Sequence, residues 1–142
     1  MQYFFDSNIF LRYFTDEKNS KVFKDCSALI KKIKLGKTRA VTSHLVTAEI
    51  VWTLFSSYRA SKDQVVKVLK VIETLNGLKM LDNVNTAKAN NLFISYHVKY
   101  IDALIASYPE IQSKKMVVVS YDKDFDKLGV KRLEPSDIIN RD

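Results

Sequence analysis

The spacing of apolar residues along this chain changes several times, and each change marks an element. Between positions 20 and 35, Val22, Phe23, Cys26, Leu29, Ile30 and Ile33 recur at three- and four-residue steps with lysines between them, and Gly36 follows. That pattern predicts an amphipathic helix ended by glycine, with Cys26 on its core face. Residues 2–5 read as a short aromatic strand, followed by a first helix over 7–14. A strand is expected over 39–41. Thr42 or Ser43 then caps a helix to about position 58, so apolar all round that burial on most sides is expected. Ser61 and Gln64 spell a capping box for a helix to 75, stopped by Asn76 and Gly77. A strand over 79–81 precedes a helix that starts at Asn83 or Asn85 and runs to about 98. Another helix spans 100–108 and is checked or kinked at Pro109. Residues 116–119 carry the strongest strand signal. A turn or short helix over 122–128, a strand over 130–133 and a terminal turn over 135–140 complete the pattern.

Short strands alternating with helices imply an α/β fold with a mainly parallel central sheet flanked by helices. The length, 142 residues with 46% hydrophobic, suits one domain over 1–142 with one core. Composition then removes function classes. Glycine occurs only at 36, 77 and 129, too few and too scattered for a Walker A loop, a dinucleotide-binding turn or a nucleophile elbow. One cysteine permits no intrachain disulfide or cysteine zinc site, and His44 and His97 lie too far apart for a histidine metal motif. No apolar run approaches the roughly 20 residues of a membrane-spanning helix. The apolar start of the chain is interrupted by Asp6, Asn8 and Arg12 and reads as folded protein rather than a signal peptide. A soluble cytoplasmic protein with no membrane partner is expected. Lys and Arg number 23 against 16 Asp and Glu, a net charge of +7 that favours a polyanionic partner.

Four acids stand in core-like surroundings. Asp6 lies between Phe5 and Ile9-Phe10-Leu11, Glu49 within an apolar helix, Asp102 before Ala103-Leu104-Ile105-Ala106, and Asp122 just beyond Val117-Val118-Val119. Each burial of an unpaired carboxylate costs several kcal/mol, so each needs a partner. Taken singly, Asp6, Asp102 and Asp122 have local explanations as helix caps or first-turn acids, and Glu49 as half of a salt bridge. Taken together they suggest one partner. Asp6 and Asp122 both follow strand ends, where open parallel sheets form their ligand crevice. Asp102 falls near a helix start, and Glu49 shares a face with Leu45, Ala48 and Trp52 that is expected to pack inward. Converging carboxylates call for a divalent cation, and oxygen-only ligands select Mg²⁺ or Mn²⁺. Asp124 is a candidate for a second cation or a solvated turn beside Lys123 and Lys127, and Asp82 for a strand-end cap. Arg12 is expected near the site as a phosphate contact. The run Lys21, Lys24, Lys31, Lys32, Lys34, Lys37 and Arg39 is either a phosphate-binding surface or a solvated helix face. His44 and His97 are assigned to packing or capping, and Tyr96, Tyr100 and Tyr121 to base stacking or the core.

Four ordered segments resemble the PIN-domain family, and in particular VapC-type toxin ribonucleases of type II toxin-antitoxin systems. They are Asp6-Ser7-Asn8-Ile9-Phe10-Leu11, Thr47-Ala48-Glu49-Ile50-Val51, Asp102-Ala103-Leu104-Ile105-Ala106 and Val119-Ser120-Tyr121-Asp122-Lys123-Asp124-Phe125. The resemblance implies a PIN-like fold and a Mg²⁺-dependent endoribonuclease that leaves 5′-phosphate and 3′-hydroxyl ends. It carries over Asp6, Glu49, Asp102 and Asp122 as the acidic quartet, with Ser120 and Asn8 as supporting groups and Asp124 as a variable fifth acid. A cognate antitoxin and a homodimer are the partners it implies. Tyr100-Ile101 before Asp102 departs from the family pattern and leaves the local groove shape open. The competing class is a non-catalytic Mg²⁺-binding regulatory module or an RNA-binding α/β module.

Overall fold

The computed structural model describes residues 1–141. Strand β1 (Gln2–Phe5) leads into helix α1 (Ser7–Thr15), and α2 (Lys21–Lys34) returns the chain to β2 (Ala40–Thr42). Helices α3 (His44–Ser56) and α4 (Lys62–Glu73) connect to β3 (Leu78–Met80). Then come α5 (Thr86–Ser95), α6 (Tyr100–Ala106), α7 (Pro109–Gln112), β4 (Met116–Val119), α8 (Asp124–Lys127), β5 (Arg132–Leu133) and α9 (Pro135–Ile139). The sheet order is β3-β2-β1-β4-β5, and every neighbouring pair is parallel. Parallel strands are covered on both faces, which is why β4 is the uninterrupted apolar run Met-Val-Val-Val, buried throughout. From β1 the chain builds outward through β2 to β3, then crosses to the other side of β1 for β4. This reversal makes a topological switch point between β1 and β4, the place beyond the C-terminal strand ends where open parallel sheets bind their ligands.

The local signals read from sequence act as expected at most boundaries. Ser43 caps α3, accepting from the Val46 amide, and Ser61 with Gln64 forms the capping box of α4; Ser20, expected inside the second helix, is instead its cap and accepts from the Phe23 amide. Of the two asparagines before α5, Asn85 is the cap. Pro109 does not kink a helix; it opens α7 at the first helical position, where its missing N–H leaves no bond unmade. Cys26 is buried. Gly77 has a packing reason: a β-carbon there would lie 2.1 Å from the Ile33 carbonyl oxygen, where the end of α2 presses on the turn into β3.

Helix α3 departs from its expected burial. Only Val46, Ile50 and Leu54 are fully buried, whereas Trp52 is 73% exposed and Phe55 44% exposed. Its apolar residues lie all round the helix, so the sequence alone could not say which stripe the core would take. Of the Leu45, Ala48 and Trp52 face, half-buried Leu45 packs against the core, whereas Ala48 and Trp52 are exposed. With Thr53, Lys99 and Ile101 this face lines an open recess, and half-buried Glu49 stands at its edge.

Candidate metal centre

Asp6 continues the sheet ladder, its amide donating to the Val119 carbonyl at 3.1 Å, and then caps α1 with extended backbone geometry. Its side chain is 3% exposed. Oδ1 accepts from the Ser7 amide at 2.8 Å, and Oδ2 accepts from the Ser120 hydroxyl at 2.7 Å and the Asn8 amide nitrogen at 3.2 Å. Ser120, fully buried, is saturated: its hydroxyl donates to Asp6 and accepts from Asn8 Nδ2 at 2.9 Å and from the Asp122 amide at 3.0 Å. Asn8 Oδ1 accepts from the Tyr121 amide at 3.2 Å. Two small polar residues thus tie the end of β1 to the end of β4. Asp122 Oδ1 in turn accepts from the Asp124 amide at 2.9 Å, which sets the turn into α8.

Glu49 reaches the same end of the sheet from α3, where its Oε1 accepts from the Ser7 hydroxyl at 2.8 Å. Asp102, in the first turn of α6, is 2% exposed, and its Oδ2 is buried with no hydrogen-bond partner. Carboxylate oxygens of Asp102, Asp122 and Asp124 lie within 4.8 Å of one another. Lys99 Nζ is 3.8 Å from Asp122 Oδ2.

These acids are electrostatically one group. Burial pushes the Asp102 carboxyl up to about 8, and the charges of Asp6, Asp122 and Glu49 add to this against the opposing pull of Lys99. Asp6 is raised to about 6, again first by burial, with its Ser120 and Ser7 hydrogen bonds resisting and Glu49 and Asp122 adding to the rise. Lys99 is raised: burial works to lower it, but Asp102, Glu49, Asp122 and Asp6 together prevail. A cluster that resists its own ionisation, with an orphaned buried carboxylate oxygen and only oxygen donors, fits a hard divalent cation such as Mg²⁺ or Mn²⁺. Asp6 and Asp122 are joined through Ser120, Glu49 is tied to the start of α1 through Ser7, and of the four predicted acids only Asp102 and Asp122 bring carboxylate oxygens within 4.8 Å in one cluster. Asp124 joins them, although its Oδ1 also pairs with Lys127 at 2.8 Å.

Other expectations change. Arg12 pairs with Asp16 at 3.3 Å; six residues along α1 from Asp6, it has travelled about 9 Å down the helix axis. Arg39 precedes β2 and so lies, with Lys37, at the N-terminal end of the strands, the opposite end of the sheet from the acids. His44 is exposed rather than packed, and Asp82 holds both its ring nitrogen Nδ1 and its backbone amide. Tyr100 is 43% exposed, donates to Asn90 and packs edge-on against Phe93. Tyr121 meets Cys26 through its hydroxyl.

Two contributors escaped the sequence reading. Arg132 donates to the Ser120 carbonyl at 2.8 Å while paired to Asp126 and Glu134, so it braces the loop that carries Ser120 and Asp122. Lys99 had a legible signal: it is a cation at a helix start, where the dipole favours an acid, three residues before a buried aspartate.

Solved structures share this architecture. "PAE2754" from Pyrobaculum aerophilum aligns with a TM-score of 0.69 at 15% identity, covering 99% of this chain and 96% of its own. FitAcB from Neisseria gonorrhoeae gives 0.65 at 12% identity, covering 95% and 99%. VapC20 from Mycobacterium tuberculosis, a sarcin–ricin loop cleaving toxin, gives 0.62 at 14% identity, covering 91% and 96%. No curated protein sequence matches the chain significantly. The sequence itself matches the PIN domain model over residues 3–131, which spans both strand ends and all of the clustered acids, and the chain belongs to the PIN domain family.

Proposed function

We propose that this chain is a Mg²⁺-dependent endoribonuclease, with Mn²⁺ able to substitute, and the toxin of a toxin-antitoxin pair acting in the cytoplasm. The observation that carries this reading is the unpartnered, buried Oδ2 of Asp102 beside Asp122 and Asp124 at the switch point. Asp6, Asp102 and Asp122 hold the ion, directly or through water. When bound, it supplies charge stabilisation at the phosphate and acidifies the attacking water. Glu49, with Oε1 fixed by Ser7, orients that water and takes its proton. Ser120 and Asn8 hold Asp6 in place without touching substrate. A net charge of +7 and the RNA-cleaving toxin among the structural neighbours support RNA as substrate. A cognate antitoxin and a second copy of the chain are the protein partners in this reading.

The test is cleavage of end-labelled cellular RNA by purified protein. Products with 5′-phosphate and 3′-hydroxyl ends should appear with Mg²⁺ or Mn²⁺, vanish with chelator, and be absent for Asp6→Asn and Glu49→Gln. Induced expression should arrest bacterial growth, relieved by Asp122→Asn or by co-expression of a neighbouring small protein. RNA binding without cleavage at any metal concentration would favour the non-catalytic module instead.

A further inference from the structure

Lys99 balances the charge of the acids in the metal-free site, yet its placement is unusual for that task alone. It occupies the N-terminal boundary of α6, where the helix dipole disfavours a cation, and makes no capping hydrogen bond there. Its ammonium stands 3.8 Å from Asp122 Oδ2 and feels the charges of Asp102, Glu49 and Asp6 as well. Among the described residues, no other Lys or Arg forms an ion pair with any of these four acids. Its contact with Asp122 is nevertheless loose, 3.8 Å with the lysine side chain 62% exposed, and Lys99 also lines the recess shared with Glu49, Trp52 and Ile101.

We propose that Lys99 is a substrate-binding residue that alternates between two partners: Asp122 in the metal-free protein, and a non-bridging phosphate oxygen of the RNA once a divalent cation has taken Asp122. This rests on the nuclease reading and deepens it. A phosphate that reaches a cation held by Asp122 must come close to an ammonium that starts 3.8 Å from the same carboxylate. The long flexible stem of lysine allows the exchange, since little binds it where it stands. The ammonium also competes with the metal for Asp122 and repels it. One substitution should therefore tighten metal binding and weaken RNA binding, a combination that a purely structural role does not produce.

The experiment uses the full chain as wild type, Lys99→Met, Lys99→Arg and, as a remote charge control, Lys37→Met. Calorimetric titration of the RNA-free proteins with Mn²⁺ should show Lys99→Met binding about two- to fivefold more tightly than wild type, the range of an exposed ion pair. RNA affinity in Mg²⁺ is measured by fluorescence anisotropy with a labelled single-stranded oligonucleotide, each variant combined with Glu49→Gln to stop cleavage. Lys99→Met should lower the slope of log affinity against log salt by about 0.7, one phosphate contact on a single strand. Lys99→Arg should restore the slope, and Lys37→Met should leave both measurements at wild-type values. In steady-state cleavage Lys99→Met should raise KM more than it lowers kcat. Unchanged Mn²⁺ affinity, or an unchanged salt slope, overturns the assignment of Lys99 while wild-type cleavage upholds the nuclease reading. A wild type that neither binds Mn²⁺ nor cuts RNA overturns both.

Discussion

Replacing Asp102 with Asn removes a charge from the place where the fold tolerates it least. The carboxyl is raised from an ordinary 3.8 to about 8, and each tenfold step in acidity is worth about 1.4 kcal/mol, so ionising it in the metal-free fold opposes stability by up to about 6 kcal/mol. Asparagine avoids that charge but leaves a buried amide without partners, which costs about 1–3 kcal/mol. The sign depends on pH. A raised carboxyl contributes stability that is full below the unfolded value and lost as pH climbs through the folded one, here from near 4 to near 8. Near pH 9 the metal-free variant should therefore be more stable than wild type by about 3–5 kcal/mol, a rise of roughly 10–15 °C in Tm for a domain of this size. Near pH 5, where wild-type Asp102 already carries its proton, the advantage should vanish or reverse. Excess Mg²⁺ near pH 8 should raise the wild-type Tm and leave the variant almost unmoved. Differential scanning calorimetry at both pH values, in chelator and in Mg²⁺, gives all four comparisons. An Asn variant whose Tm differs from wild type by the same amount near pH 5 and near pH 9 would refute the electrostatic argument.

Further outcomes follow from the same structure. Ser120→Ala strips one partner each from Asp6, Asn8 and the Asp122 amide; it should cost about 2–3 kcal/mol in urea unfolding and weaken Mn²⁺ binding, and a loss under about 0.5 kcal/mol would contradict its role as hub. Gly77→Ala drives a methyl into the Ile33 carbonyl and should destabilise by about 2 kcal/mol or more, whereas Gly36→Ala, with φ +68° and open space around it, should cost about 1 kcal/mol; equal effects by thermal melting would contradict the close approach. Lys37→Glu combined with Arg39→Glu, at the far end of the strands, should leave the cleavage rate and the salt dependence of RNA binding unchanged; a large loss of affinity would place RNA at that end.

The candidate site was largely legible because its acids violate local chemistry. An aspartate between Phe5 and Ile9, or one before Ala-Leu-Ile-Ala, can be read singly as a helix cap or first-turn acid, but four such acids together call for a shared partner, and the strand-end placement of Asp6 and Asp122 follows from sequence pattern alone. The Ser43 cap and the Ser61–Gln64 box were equally local and equally readable. What escaped depends on tertiary choice. Helix α3 is apolar on every side, so the pattern held no periodic signal for which stripe would meet the core, and Trp52 and Phe55 are left outside. Arg12 looked close to Asp6 in sequence, but helical rise carries it away toward Asp16. The joins between Asn8 and Tyr121, or Ser7 and Glu49, span 113 and 42 residues, and pairings at such range become visible only once the sheet order is known.

The central claim is that acids from both sides of the switch point form one cation-binding centre. Anomalous diffraction from crystals soaked in Mn²⁺ tests it most directly. The account predicts a manganese peak within coordination distance of Asp102 and Asp122, with Asp6 bound directly or through water, and its disappearance in Asp102→Asn crystals. A wild-type map with no peak at these acids, or with manganese bound only elsewhere on the surface, would contradict it.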